Sequence, residues 1–421
     1  MSDERIEVGA RVAGLDPEEM AAAFGSPLYV YDGDVIRRRV EQLRAALPEA
    51  VDLAFATKAN PSPAVLGLLA AAGLGADVAS GGELAAVRRA GFVPGRIVFT
   101  GPGKTDAELA AALQVGVGAL TVESLDELES LVAMAPRATP GQGLMLRLAS
   151  GGEAEATPII AATAGDKFGL TDDEAGEAVA MLHAAGVLAP MGPFVLRGFH
   201  AFGASNVLDA SALVHGVVAL ALRAERIAAR HGLEVELLDA GGGLGIPYVD
   251  QDAPLDLSKL GEGIRSELAG WAGRAPLRGA RLLLEPGRWL TGPAGAYLCR
   301  VIRTKERGGR SIAITDGGIH HLLRPRLVSQ DHRIVAVGAA SSRTADASVD
   351  VVGPLCTGID ILASAVAAPA PRPGDLYAVL DAGAYGYSES MPFFLSHPIP
   401  AEILVQGGAI TVSRERIEPD P

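Results

Sequence analysis

Lys58, in the segment FATKAN, follows the apolar run 53–56 and precedes Pro61. A strand-like run ending in lysine sets an amine at a strand's carboxyl end, where barrel enzymes gather their reactive groups. Such an amine can hold a carbonyl compound as a Schiff base. Alone, a solvated lysine at a loop start is the commoner reading. Gly241, Gly242, Gly243 and Gly245 follow the run 235–238 and Asp239. Glycines after a strand let backbone N–H groups approach a phosphate, although a tight turn leaves the same mark. Dinucleotide binding fits poorly, since it would set the cluster in an N-terminal βαβ unit. LLLEPGRWL puts Glu285 and Arg288 just beyond another strand. A buried glutamate facing a pyridine nitrogen would keep it protonated, and the arginine could grip a carboxylate in bidentate fashion. An ordinary strand-end ion pair is the plain alternative. GFHAFGAS offers His200, able to stack on a flat ring, and Ser205, able to bind phosphate. GPLCTGID presents Cys356 and Asp360, and DAGAYGYSE presents Tyr385. The thiol could donate a proton to a carbanion and the tyrosine could anchor phosphate; a buried small hydrophobe and a domain-packing aromatic are the bland readings.

These groups need a frame that brings distant strand ends together. Runs at 28–31, 53–56, 77–79, 96–99, 119–122, 144–148, 196–199 and 235–238 are each followed by helix-like sequence. Strand-then-helix repeated about eight times implies an α/β fold with parallel pairing and a site at the carboxyl ends of the strands. Periodicity alone does not separate a closed (β/α)8 barrel from an open doubly wound sheet. After about residue 280 the strands at 281–285, 295–304, 311–315, 334–337, 348–352, 376–380 and 401–405 have little helix between them. That pattern is an all-β barrel or sandwich. The expected division is a barrel over residues 28–275 and a β-domain over 276–421 joined by 1–27.

Composition narrows the partners. The 421 residues are 49% hydrophobic and 20% charged, enough to bury large cores. A formal charge of −14 argues against nucleic acid and anionic membranes. Cys299 and Cys356 are the only cysteines, so a disulfide framework is not expected. The start MSDERIEVGA has no apolar core, and no run of about 18 apolar residues occurs. A cytoplasmic protein without a membrane span or metal site is the expectation.

In this order FATKAN, ADVASGGEL, GFHAFGAS, DAGGGLGIPY, LEPGRWL, GPLCTGID and LDAGAYG resemble the diaminopimelate/ornithine decarboxylases, the fold-type-III pyridoxal-phosphate group. The resemblance spans essentially the whole chain. It implies an alanine-racemase-like barrel with a C-terminal β-domain, and pyridoxal 5′-phosphate as cofactor. By the resemblance Lys58 is the Schiff-base lysine, His200 stacks on the ring and Glu285 pairs with its nitrogen. Ser205, the backbone of Gly241, Gly242 and Gly243, and Tyr385 would hold the phosphate, with Asp77 and Glu83 supporting groups near the lysine. Family members are homodimers with interfacial sites, so Cys356 would enter from the partner subunit as proton donor. Arg288, Arg324, Thr357 and Asp360 would face the substrate.

Departures from the pattern bear on that substrate. Diaminopimelate decarboxylases usually carry Glu-Ser after the cysteine and ornithine decarboxylases an Asp, which recognise a distal ammonium; here Thr357 and Gly358 stand there. HAFGAS is two residues longer than the usual block, Val328 replaces a tyrosine, and SESMPFFLSHP is more apolar than its asparagine-rich equivalent. The longer His block and the changed cysteine block look like the branch of specialised metabolism that includes decarboxylases of aminoacyl groups on carrier proteins. The expected substrate is then a glutamyl- or aspartyl-type unit without a free distal ammonium. An acidic carrier would require a basic patch, at Arg37, Arg38 and Arg39 or at Arg324 with Arg326. Diaminopimelate decarboxylase is the rival reading; a racemase or a non-catalytic pyridoxal-phosphate-binding barrel lies further off.

Overall fold

The computed structural model describes residues 5–149, 167–188 and 192–419. The ends of the expected β-domain, residues 1–4 and 420–421, lie outside them. After the helix Pro17–Phe24, strand β1 (Leu28–Asp32) feeds the helix Gly33–Ala46, whose first N–H groups are capped by the Asp32 carboxylate. Eight parallel strands then close on themselves: β2 (Val51–Ala56), β3 (Gly75–Val78), β4 (Ile97–Phe99), β5 (Ala119–Val122), β6 (Gln142–Arg147), β7 (Phe194–His200), β8 (Leu237–Asp239) and β9 (Arg281–Leu284). The pairing Val51↔Leu282 joins the last strand to the first, so the sheet is a barrel and not an open one. Helices wrap the outside through a continuous apolar layer. Inside, Ala54, Val98 and Leu283 form a small separate cluster with Leu237 against it. No helix among the described residues is long and apolar enough to cross a membrane.

The second unit is a nine-stranded sheet built from β1, β10 (Gly295–Arg307), β11 (Arg310–Thr315), β12 (Ile334–Val337), β13 (Ala347–Val352), β14 (Ile361–Ala368), β15 (Leu376–Val379), β16 (Ala401–Gln406) and β17 (Ala409–Arg414). The long β10 pairs with β1 and β15 through its first half and with β11 through its second. This is the expected architecture, a (β/α)8 barrel with a β-domain.

The division between the units differs from expectation at both ends. β1 belongs to the β-sheet, antiparallel to β10 and parallel to β16, whereas β9, assigned to the β-domain, is the eighth barrel strand. The reason is local mimicry. A strand followed by a capped helix reads as a βα unit whatever its partner, and β1's partners lie far along the chain. β9 is followed only by the short helix Arg288–Thr291, so the βα cadence is missing there. β14 and β17 also went unread, the first because ILASAVAA lacks clean alternation.

Barrel closure depends on close strand approach at Gly198, where β7 shifts register. A Cβ there would lie 1.9 Å from the Leu237 carbonyl oxygen of β8. We expect Gly198→Ala to destabilise the protein by about 3 kcal/mol or more, read as a lowered urea midpoint. An unchanged midpoint would show that the two strands can part without cost.

Candidate active site

The carboxyl ends of the barrel strands carry the polar residues. Lys58 sits in the single turn Thr57–Ala59 that ends β2, and its Nζ is 2.5 Å from Asp77 Oδ2 on β3. Asp77 Oδ1 accepts from the Thr100 hydroxyl at 2.6 Å, which fixes the carboxylate's orientation. The Lys58 side chain is 45% exposed, because the cleft above it is open, while Asp77 is buried. Enclosure by itself lowers the lysine's pKa, but the charges of Asp77, Glu285 and Tyr385 outweigh it and raise it. Burial and the neighbouring Glu285 push Asp77 up, while Lys58 draws it back. Glu83 stands one step behind: its carboxylate accepts from the Ala79 N–H at 2.7 Å and ties down the loop after β3.

The floor is formed by His200, Asp239 and Glu285, from the ends of β7, β8 and β9. All three are buried, with ligand-type atoms within 4.8 Å of one another. His200 Nε2 lies 3.9 Å from Glu285 Oε2. Burial alone would raise Glu285, yet His200 and Lys58 hold its carboxyl below the ordinary range. Burial and Glu285 drive Asp239 well above it. His200 Nδ1, Asp239 Oδ2 and Glu285 Oε1 have no partner among the described residues. An ionised carboxylate with an unfilled buried oxygen is an acceptor for a cationic N–H group or a cation.

Beside the floor the chain turns through the glycine cluster. Gly241 (φ 66°) and Gly243 (φ 93°) are left-handed. A Cβ on Gly242 would fall 2.4 Å from the Glu285 carbonyl oxygen, and one on Gly243 would fall 2.5 Å from that of Ala204. The Gly241 N–H donates to Asp239 at 2.8 Å, while those of Gly242 and Gly243 find no protein acceptor among the described residues. Arg288, buried, donates to Ser205 Oγ at 3.2 Å and to Tyr248 Oη at 2.7 Å, and its guanidinium lies 4.6 Å from the Tyr385 ring centre. Lys58, Ser205, Gly242, Glu285, Arg288 and Tyr385 line one pocket. Residues spread over more than 320 positions thus meet at one place.

Several groups escaped the sequence reading. Asp239 was seen only as the residue before the glycines, and Thr100, Tyr248 and Glu389 not at all. For Asp239 the signal was present, a carboxylate at the end of a barrel strand. Tyr248 lies in the same block, at the end of GIPY.

Other expected residues do not join the pocket. Cys356 is exposed and, with Thr357, lies on the loop between β13 and β14, away from the residues lining the Lys58 pocket. Asp360, expected to face substrate, is 3% exposed, and its two oxygens accept the N–H groups of Ile319 (2.9 Å) and Leu355 (2.7 Å). It holds the loop's shape, and a carboxylate so engaged is not free for a ligand. Arg324 pairs with Glu389 at 2.9 Å and lies 5.1 Å from the Tyr385 ring. The expected basic patches do not form. Arg39 is buried with its guanidinium over Trp289, Arg37 pairs with Asp34, and Arg326 pairs with Asp331.

Comparison with known proteins agrees with this geometry. The family described as pyridoxal-dependent decarboxylase, pyridoxal binding domain, matches residues 33–292. A diaminopimelate decarboxylase of Aquifex aeolicus is 33% identical over 409 residues, 96% of this chain and 92% of that protein. The L-glutamyl-[BtrI acyl-carrier protein] decarboxylase of Niallia circulans is 31% identical over 414 residues, 96% of this chain and 94% of that one. The crystal structure of diaminopimelate decarboxylase from Helicobacter pylori complexed with L-lysine superposes with a TM-score of 0.85 at 28% identity, covering 95% of this chain and 96% of that one. With a strand-end lysine, a buried acceptor floor and a glycine cradle in one barrel mouth, this chain belongs to the pyridoxal-dependent decarboxylases and uses pyridoxal phosphate to decarboxylate an amino acid.

Proposed function

We propose that Lys58 carries the cofactor and that the substrate is an aminoacyl unit without a free distal ammonium, such as a glutamyl- or aspartyl-type group on a carrier protein. The orphaned oxygen of Glu285 and the Cβ-free cradle at Gly242 and Gly243 are features that a cationic ring nitrogen and a phosphate would complete. When bound, pyridoxal phosphate supplies a protonated ring that accepts the electron pair left as CO₂ departs. The protein's own groups have separable tasks. Glu285 stays ionised and keeps the ring nitrogen protonated, with His200 beside it. The N–H groups of Gly242 and Gly243, with Ser205 and Tyr385, take the phosphate. Asp77 accepts the proton that the Lys58 ammonium must shed before its nitrogen can bond to carbon. Arg288 is placed for a substrate carboxylate.

One observation carries the substrate reading. Asp360, the sole carboxylate of the GPLCTGID loop, is buried and consumed by two backbone N–H groups. The loop therefore offers Thr357 and Gly358 where an ammonium would need an acid. Leaving an ammonium buried and unpaired costs on the order of several kcal/mol. The Niallia relative named for a carrier-bound glutamyl substrate is consistent with this reading. The diaminopimelate reading keeps its own support in Arg288, Arg324 and the name of the Aquifex relative. A carrier would have to dock away from Arg39 and Arg326, whose charges are buried or paired.

We also infer a homodimer in which Cys356 reaches the partner's cleft. Ile359 beside it is 55% exposed and Phe393 is 82% exposed, with Phe394 and Leu395 also open. Such apolar exposure suits a surface covered by a second copy.

Three measurements test these assignments. Lys58→Ala should abolish the visible absorbance of the loaded protein and cut CO₂ release by roughly a thousandfold or more; an undiminished rate removes the core of the proposal. Cys356→Ala should keep the absorbance but lower turnover by roughly 10²-fold, and an unchanged rate and product partition would end the thiol's role. A CO₂-release screen should find carrier-bound glutamyl or aspartyl units turned over in preference to free diaminopimelate, lysine, ornithine and glutamate. Rapid turnover of free diaminopimelate would reverse the substrate assignment.

A further inference from the structure

The wall beside Tyr385 holds an ion pair that the roles assigned above leave unused. Arg324 begins the short helix Arg324–Leu327, and its side chain is only 6% exposed. Nη1 is 2.9 Å from Glu389 Oε2, while the buried Nε has no acceptor among the described residues. Glu389 ends the turn Tyr387–Glu389, and the hydroxyl of its neighbour Ser388 donates to the Lys58 carbonyl oxygen at 3.3 Å. The pair therefore stands at the rim of the lysine cleft. Both Arg288 and Arg324 lie against the Tyr385 ring, at 4.6 and 5.1 Å. Among the described residues, two guanidiniums thus share this wall with the Glu389 carboxylate.

Guanidinium and carboxylate match each other in shape and charge, so a carboxylate at Arg324 forms the strongest pairing that site can make. Glu389 already supplies it from the chain itself. A ligand bringing a second carboxylate would have to displace Glu389 and then sit beside it, two like charges on one cation. A neutral distal group faces no such contest, because it brings no second negative charge to the cation.

We propose that Glu389 is a specificity-determining residue: it occupies Arg324 in place of a second substrate carboxylate, restricting the site to amino acids whose distal end is an uncharged thioester, ester or amide. This inference rests on the substrate reading above and sharpens it. Glu389 acts through Arg324 and is a positioning residue, not a catalytic one.

The test compares two probes of equal length, glutarate and its monoamide glutaramate, binding to the cofactor-loaded enzyme by calorimetry. Wild type should bind glutaramate at least as tightly as glutarate. Glu389→Gln keeps the size and removes the charge, so glutarate should tighten by about tenfold or more while glutaramate moves little. For free diaminopimelate or glutamate the gain should appear in KM with kcat nearly unchanged. Glu389→Asp should keep the wild-type order, and Arg324→Gln added to Glu389→Gln should erase the gain. An unmoved glutarate-to-glutaramate ratio in Glu389→Gln, or a gain that survives loss of Arg324, overturns the inference. Rapid wild-type turnover of free diaminopimelate would sink the substrate reading and this inference together, whereas an unmoved probe ratio would sink this inference alone.

Discussion

Three buried carboxylates crowded beside one lysine's partner set the terms for the rest of this molecule. Asp77, Asp239 and Glu285 crowd the mouth of a barrel whose lower interior is apolar, at Ala54, Val98 and Leu283. Like charges so close cannot all ionise cheaply. The site resolves this by division of labour: Asp239 is driven towards its neutral form, Glu285 is held ionised, and Asp77 is paired with Lys58. One Glu285 oxygen is left without a donor from the rest of the floor, save the proton that a neutral Asp239 can share with it. An orphan of this kind costs about 1–3 kcal/mol, which a folded protein tolerates where a ligand will repay it.

The β-domain is part of this arrangement and not an appendage to it. Three hydrogen bonds join its C-terminal stretch to the turn that bears the lysine. Tyr385 N–H donates to Ala59 O at 2.8 Å, Asn60 Nδ2 to Gly383 O at 2.9 Å, and Ser388 Oγ to Lys58 O at 3.3 Å. Tyr385 itself adopts a left-handed backbone (φ 55°), a conformation a non-glycine residue keeps only when its surroundings impose it. The strain fits the task of presenting one ring to two guanidiniums. Breaking the sheet that carries residues 376–406 would therefore loosen the lysine turn as well as the rim.

Much of this was legible in the chain. Lys58, His200, Glu285 and the glycine cluster each follow an apolar run, and a strand end is a statement about location that needs no tertiary knowledge. The number of barrel strands was legible too, but not their membership, because β1 and a true barrel strand look alike until their partners are known. The failures at the site share a cause. Asp360 is expected to face substrate and Arg39 to join a basic patch because charge is visible in sequence, whereas the backbone N–H groups and the Trp289 ring that enclose them are not. The Arg324–Glu389 pair crosses 65 residues with no periodicity to announce it.

The same distinction governs what likeness to other proteins can say about substrate. Identities of 33% and 31% over nearly the whole chain, to proteins named for different substrates, describe one shared scaffold and one shared cofactor chemistry. A single carboxylate present or absent at the substrate's distal end changes binding by several kcal/mol, a factor of a thousand or so, while leaving overall identity untouched. On the substrate reading proposed here, specificity rests on local charge pairing, on whether Asp360 and Glu389 are free or engaged. In this chain both are engaged, one by backbone and one by arginine.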